Sequence, residues 1–199
     1  MQGIYFIGAG FSKPAGLPLG SELTAMILRK AKSLDSLYEN ILKLDLLRYL
    51  RYLRIAKKIE ITEDEIDIED FITYLDIERV LALEDDFSQE GNRTQVLIRN
   101  LIALVLFEKQ QSMTKADWFL YENFASNLGK NDIVVTFNYD TILEVAMERI
   151  GKKFRLFPVR IKRDNTVDFS QSEVIILKMH GSINWFYAAN YLYLGLSLE

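Results

Sequence analysis

The sequence contains no cysteine and a single histidine among its 199 residues. Disulfides, cysteine nucleophiles, zinc ribbons and multi-histidine metal sites are excluded by those counts, so no metal is expected. A basic excess is also missing. Lys and Arg number 24 against 28 Asp and Glu, a net charge of −4, so direct nucleic-acid binding is not expected. Long apolar runs are absent as well. Leu101–Phe107 is the longest after the N-terminal strand, whereas a membrane span needs about 20 residues. The first residues lack the basic and apolar regions of a signal peptide. The expectation is a soluble, cytoplasmic protein with no membrane partner. Hydrophobic residues make up 49%, enough for a sizeable core, with no repeats, low-complexity tracts or linker.

What is present divides by character. Ile4 to Ile7 reads as a buried strand running into a tight turn at Gly8-Ala9-Gly10. Pro14, Gly16, Pro18 and Gly20 predict an irregular segment, and Ser21 an N-cap for a helix through Lys32. The middle reads as helical: Leu37, Ile41, Leu44, Leu47 and Leu50 predict one apolar face. Ile68, Phe71, Ile72 and Leu75 predict another behind an Asp67 cap, with Glu63 to Asp70 a solvated helix entry. Val96 to Phe107 is placed at the centre of the helical packing, and Trp118, Leu120 and Phe124 mark a helix that Gly129 stops. The β-branched run Ile133 to Phe137 then predicts a strand, Thr141 to Ile150 a helix, and Phe154 to Val159 and Glu173 to Lys178 two more strands. Strand–helix–strand alternation implies an α/β fold with a Rossmann-like parallel sheet. The expected division is a sheet portion at 1–33 and 131–199, with a large helical insertion at 34–130.

Three polar clusters fall at predicted strand carboxyl ends, where open parallel sheets bind ligands. They are Gly8-Ala9-Gly10-Phe11-Ser12, Asn138-Tyr139-Asp140 and His180-Gly181-Ser182. Small residues at the first let backbone amides approach a phosphate, although a tight turn alone would use the same residues. Lys13 stands where the dinucleotide fingerprint has its third glycine, and no Walker-type Gly-Lys-Ser occurs. Asn138 and Asp140 point the same way along an extended segment. Together they suit an uncharged polar ligand, or a turn and the cap of the following helix. His180 is the one imidazole available as a general base near neutral pH; a lone histidine is more often structural, and its place beside the other clusters favours the functional reading. A Ser-His-Asp hydrolase using Ser12 or Ser182 lacks the Gly-x-Ser-x-Gly elbow.

Phe6-Ile7-Gly8-Ala9-Gly10-Phe11-Ser12, Val135-Thr136-Phe137-Asn138-Tyr139-Asp140 and Lys178-Met179-His180-Gly181-Ser182-Ile183-Asn184-Trp185 together resemble the sirtuin-like NAD-binding superfamily. The nearest resemblance is to the sirtuin-like domain of bacterial antiphage-defence NADases, which the Gly16-Leu17-Pro18 turn and the Asp67-Ile68-Glu69-Asp70-Phe71 helix also resemble. The resemblance implies that Gly8, Ala9, Gly10, Phe11 and Ser12 cradle the NAD pyrophosphate, with Leu17, Gly181 and Ser182 also on the NAD side. It implies that Asn138 positions the nicotinamide ribose or the attacking water. Asp140 would bind the nicotinamide carboxamide, and His180 would be the general base. The activity implied is NAD+ glycohydrolysis to nicotinamide and ADP-ribose, with NAD as substrate, in an effector of prokaryotic defence.

Protein-deacylating sirtuins carry a four-cysteine zinc ribbon and a glutamine where Phe137 stands here. Both departures shift the implied activity from deacylation to plain NAD hydrolysis. Family members also continue past the His-Gly strand with strands that grip the adenosine half of NAD, whereas His180 lies nineteen residues from the end. The expectation is a C-terminally incomplete domain. The alternatives to NAD+ glycohydrolysis are a non-catalytic module for NAD or ADP-ribose binding or assembly, and a zinc-free NAD-dependent protein deacylase. The helical middle and the aromatics Trp185, Phe186, Tyr187, Tyr191 and Tyr193 imply an apolar patch that a homo-oligomer or a missing sensor domain or subunit would cover, unless they form core.

Overall fold

The computed structural model describes residues 2–34, 36–81, 93–158, 160–161, 166–168 and 172–185. Phe186, Tyr187, Tyr191 and Tyr193 lie outside the described residues. The chain forms two compact units, one of residues 1–17 and 106–199 and one of residues 18–105. These bounds differ from the division at 33/34 and 130/131. The first predicted helix counts with the helical unit, and the helix before Gly129 with the sheet unit.

The sheet unit holds four parallel strands among the described residues: β1 (Ile4–Ile7), β2 (Ile133–Thr136), β3 (Phe154–Arg155) and β6 (Val174–Lys178), in the order β1-β2-β6-β3. With the helices around it, this is an α/β fold of the Rossmann-like kind. Between β3 and β6 a two-stranded antiparallel ribbon pairs β4 (Arg160–Ile161) with β5 (Val167–Asp168). The expected strand from Phe154 therefore ends at Arg155. A one-turn helix, α1 (Ala9–Ser12), follows β1, so the chain after Gly8 is helical before it becomes irregular. Helices α6 (Lys115–Asn127) and α7 (Ile142–Arg149) supply Tyr121, Ala125, Ile142, Leu143, Ala146 and Met147 to a core shared with Val134 and Ile176. Thr114 caps α6 with a reciprocal box to Asp117, and the helix ends at Asn127 with Leu128 as its C-cap and Gly129 directly after it.

One strand departs from expectation. β1 was expected to be buried, yet Ile4 and Phe6 are 61% and 72% exposed. Strand order goes with this: among the described residues β1 pairs with β2 alone and stands at the edge of the sheet. Tyr5, on the opposite face, meets Phe124 edge-on with centroids 6.0 Å apart.

The helical unit is built from α2 (Gly20–Leu34), α3 (Ser36–Tyr52), α4 (Ile68–Val80) and the part of α5 (Arg93–Gln111) through Val105. Helix α2 starts at Gly20, so Ser21 lies inside it, and the Glu22 carboxylate accepts from the Leu19 amide at 2.9 Å. In α3 the buried stripe is Leu42, Leu46, Tyr49 and, just beyond, Leu53, while Leu37, Leu44 and Leu47 are exposed. The expected face is rotated away from the core. In α4 the expectation holds: Ile68, Phe71 and Leu75 are buried, and Asp67 accepts from the Glu69 amide at 2.8 Å. Ile98, Leu101, Ile102 and Val105 of α5 are buried as expected, although Phe107 is exposed. No helix among the described residues is long and apolar enough to cross a membrane.

Candidate functional site

The three polar clusters leave the sheet at one level. Ile7 is the register partner of Thr136, and Thr136 of Lys178. The chain beyond each of these residues therefore emerges along a single carboxyl edge, and the three clusters start from neighbouring strands.

The first cluster is anchored from α6. Tyr121 donates its hydroxyl to the Phe11 carbonyl at 3.0 Å and accepts from the Ala15 amide at 3.1 Å. Burial pushes the Tyr121 phenol pKa upward, which keeps the hydroxyl protonated as a donor. The Phe11 ring packs edge-on against Tyr121 and Phe124, at 5.2 and 5.0 Å. Leu17 is buried in the core rather than open to a ligand. Gly8 and Gly10 are different. Neither has a positive φ, and a β-carbon on either would meet nothing within 4 Å. Neither backbone conformation nor packing requires these glycines, and both leave open space beside main-chain amides.

Ser12 is 1% exposed and joins the first cluster to the second. Its hydroxyl donates to Asp140 Oδ2 at 2.7 Å and accepts from Asn138 Nδ2 at 3.0 Å. Asn138 and Asp140 thus do point the same way, as the period of an extended segment requires. Asp140 Oδ1 also accepts from the Ile142 amide at 3.0 Å, in place of a side-chain cap from Thr141 at the start of α7. The capping reading and the clustering reading therefore describe the same carboxylate. Tyr139 sits between them with its carbonyl accepting from the Ile183 amide at 2.8 Å.

His180 is exposed, with its ring edge-on to Phe137 at 5.4 Å and tilted against Tyr139 at 5.9 Å. Gly181 has φ +94, a left-handed conformation that a side chain rarely adopts, and it turns the chain back toward Tyr139. Ser182 Oγ comes within 3.5 Å of the Tyr139 carbonyl. Ser12, Asn138 and Asp140 are bonded together, and His180 stands on the same strand-end edge.

Sequence reasoning passed over the groups beneath this edge. Lys178 is buried at the end of an apolar strand and bonds Glu144 Oε1 at 2.8 Å and the main-chain carbonyl of Asp140. Burial pushes the Glu144 carboxyl pKa upward, and the Lys178 ammonium pulls it back. Gln110 of α5 donates to Thr141 Oγ1 at 3.0 Å and accepts from the Thr141 amide at 3.3 Å. The available signal was charge in an apolar setting: Lys178 closing Val174-Ile175-Ile176-Leu177, and Glu144 amid Ile142, Leu143, Val145 and Ala146.

Residues 132–194 match the family model of the SIR2-like domain. The matched stretch begins just before β2 and contains Asn138, Asp140, His180, Gly181 and Ser182; Gly8 to Ser12 precede it. The sirtuin-like resemblance of the second and third motifs is borne out, and with it an NAD-related function for this SIR2-like segment. No curated protein matches the chain.

Proposed function

We propose that the carboxyl edge binds NAD+ and hydrolyses its N-glycosidic bond, releasing nicotinamide and ADP-ribose. The observation that carries this reading is the Ser12–Asn138–Asp140 cluster beside two glycines that neither packing nor backbone conformation requires. The amides near Gly8 and Gly10 face the pyrophosphate, where a missing β-carbon allows close approach. Asn138 orients the nicotinamide ribose or the water, and Asp140 faces the carboxamide. The glycosidic bond breaks through an oxocarbenium-like state as water adds to the ribose carbon. Nicotinamide leaves with the bonding electron pair, the water that bonds to the ribose carbon gives up one proton, and His180, the general base toward the ribose hydroxyls, passes that proton to solvent. Holding ribose and water together supplies much of the acceleration. The reading extends to an effector of prokaryotic antiphage defence, the group its motifs resemble, and to a homo-oligomer or a sensor partner. Incubation with NAD+ and measurement of nicotinamide release tests it: turnover lost in His180→Ala supports the reading, and no turnover or an undiminished rate in that variant contradicts it.

A second reading has one observation in its favour. Both oxygens of Asp140 are engaged within the protein, by Ser12 and by the Ile142 amide. A site whose polar groups already satisfy one another suits a module that binds NAD or ADP-ribose without cleaving it. Calorimetry showing ADP-ribose binding with no nicotinamide release from NAD+ would select that reading.

A further inference from the structure

We infer that Lys178 is a positioning residue that holds the Asn138–Asp140 segment from beneath the carboxyl edge; the inference rests on the proposal that this segment serves the site. The five residues after β2 form an irregular segment, and several of its main-chain groups are gripped by different parts of the sheet unit. The Asn138 amide donates to Thr136 Oγ1 at 3.1 Å, the Tyr139 carbonyl accepts from Ile183, and the Thr141 amide donates to Gln110. The Asp140 carbonyl is left pointing inward, toward apolar strand and helix, where an unmet acceptor is costly. Lys178 meets it. Its side chain is 1% exposed, and the ammonium reaches the Asp140 carbonyl and Glu144 Oε1 together.

The arrangement costs stability as well as supplying it. An ammonium and a carboxylate taken out of water lose hydration that their mutual attraction often only just restores, and apolar residues of like volume frequently stabilise more. Helix α7 and strand β6 already bury apolar residues, Ile142, Leu143, Ala146 and Ile176 among them, and would accept such a pair. What apolar residues cannot do is fix the direction of the Asp140 carbonyl. That direction sets where the Asn138 and Asp140 side chains stand on either side of Tyr139. Lys178 is also the register partner of Thr136, the residue from which the segment departs. The strand that carries His180 therefore positions its neighbour's polar turn through one side chain.

The test is hydrogen exchange on the ligand-free full chain carrying Lys178→Met with Glu144→Leu, a pair that keeps volume and removes both charges. The expected result is exchange faster by about tenfold or more at the Thr141 and Ile142 amides, with a melting temperature near that of the parent. In Glu144→Gln, which keeps the lysine on the carbonyl, those amides keep their protection. Where the parent turns over NAD+, the double variant loses kcat more than it changes KM. Unchanged exchange at Thr141 and Ile142 in the stable double variant overturns the inference, as does equal loosening in Glu144→Gln. Should the double variant not fold, Lys178→Met alone decides: faster exchange at Thr141 and Ile142 in the folded protein is the expected result, and unchanged exchange there overturns the inference. A parent that releases no nicotinamide contradicts the glycohydrolase reading while leaving the exchange result to judge Lys178.

Discussion

The two edges of the same parallel sheet both tie side chains to main chain, and the carboxyl edge also joins polar side chains to one another. At the amino edge, Asp132 accepts from the Gly3 amide and from the Gly129 amide, each at 2.7 Å, tying β1 and the end of α6 to β2. Lys152 closes the same region by donating to the carbonyls of Ala125, Ser126 and Leu128 at the end of α6. Side chains there are used on the protein's own main chain. At the carboxyl edge the side chains of Ser12, Asn138 and Asp140 also bond to one another, besides the bond from the Ile142 amide to Asp140, and Gly8 and Gly10 leave open space where a β-carbon would stand. One edge binds the ends of β1, β2 and α6 together, and the other leaves open space beside Gly8 and Gly10. Open parallel α/β sheets bind their ligands outside the carboxyl ends of the strands.

That contrast can be broken in graded steps. His180→Ala should lower nicotinamide release by about a hundredfold or more, the usual worth of a general base. Because His180 is exposed, its removal should leave the melting temperature nearly unchanged. Asp132→Ala should do the reverse. It strands two amides, so unfolding should become easier by about 3 kcal/mol, or roughly 6–12 °C in melting temperature. Any effect on turnover should follow the folded fraction alone. Equal losses of stability in the two variants would erase the distinction between the edges.

Gly10→Ala separates binding from stability. The residue lies in α1 with nothing near its missing β-carbon, so alanine should stabilise the chain by about 0.5–1 kcal/mol. Isothermal titration should nevertheless show weaker ADP-ribose binding, because the methyl group occupies the approach to the amides. Tighter or unchanged binding would remove the glycines from the site.

The smallest effect is a pH dependence. The Gly3 amide, and with it Gly129, holds the Asp132 carboxyl below its ordinary value near 3.8. A carboxyl lowered on folding contributes stability that is present above the unfolded value and lost as pH falls through the folded one. Acid titration of stability should therefore be less steep below pH 4 in Asp132→Asn than in the parent, as monitored by denaturant melts.

How far the sequence could be read follows from what local pattern encodes. The strands at Ile133 and Val174 were legible because β-branched runs flanked by polar turns have few alternatives. The clustering of Asn138 and Asp140 was legible because period two is a property of any extended chain. The exposure of β1 was not, since an apolar run does not state its place in the strand order. In α3, leucines occupy both sides of the helix, and a tyrosine, Tyr49, belongs to the true buried stripe among the rings of Tyr52, Phe71 and Tyr74. Counting leucines alone therefore chose the wrong face. Ser12 was read as part of a phosphate cradle, and nothing in its neighbours announced a bond to Asp140, 128 residues away. Lys178 escaped because a lysine ending a strand is ordinarily solvated.

The most direct test of the central claim maps ADP-ribose onto both edges at once, by titrating it into isotopically labelled protein and following the amide resonances. Shifts concentrated at Gly8, Gly10, the Asn138 side-chain amide and Gly181, with Gly3 and Gly129 unmoved, are the predicted result. No shift along the carboxyl edge at saturating ligand, or shifts centred on Gly3 and Gly129, would contradict it.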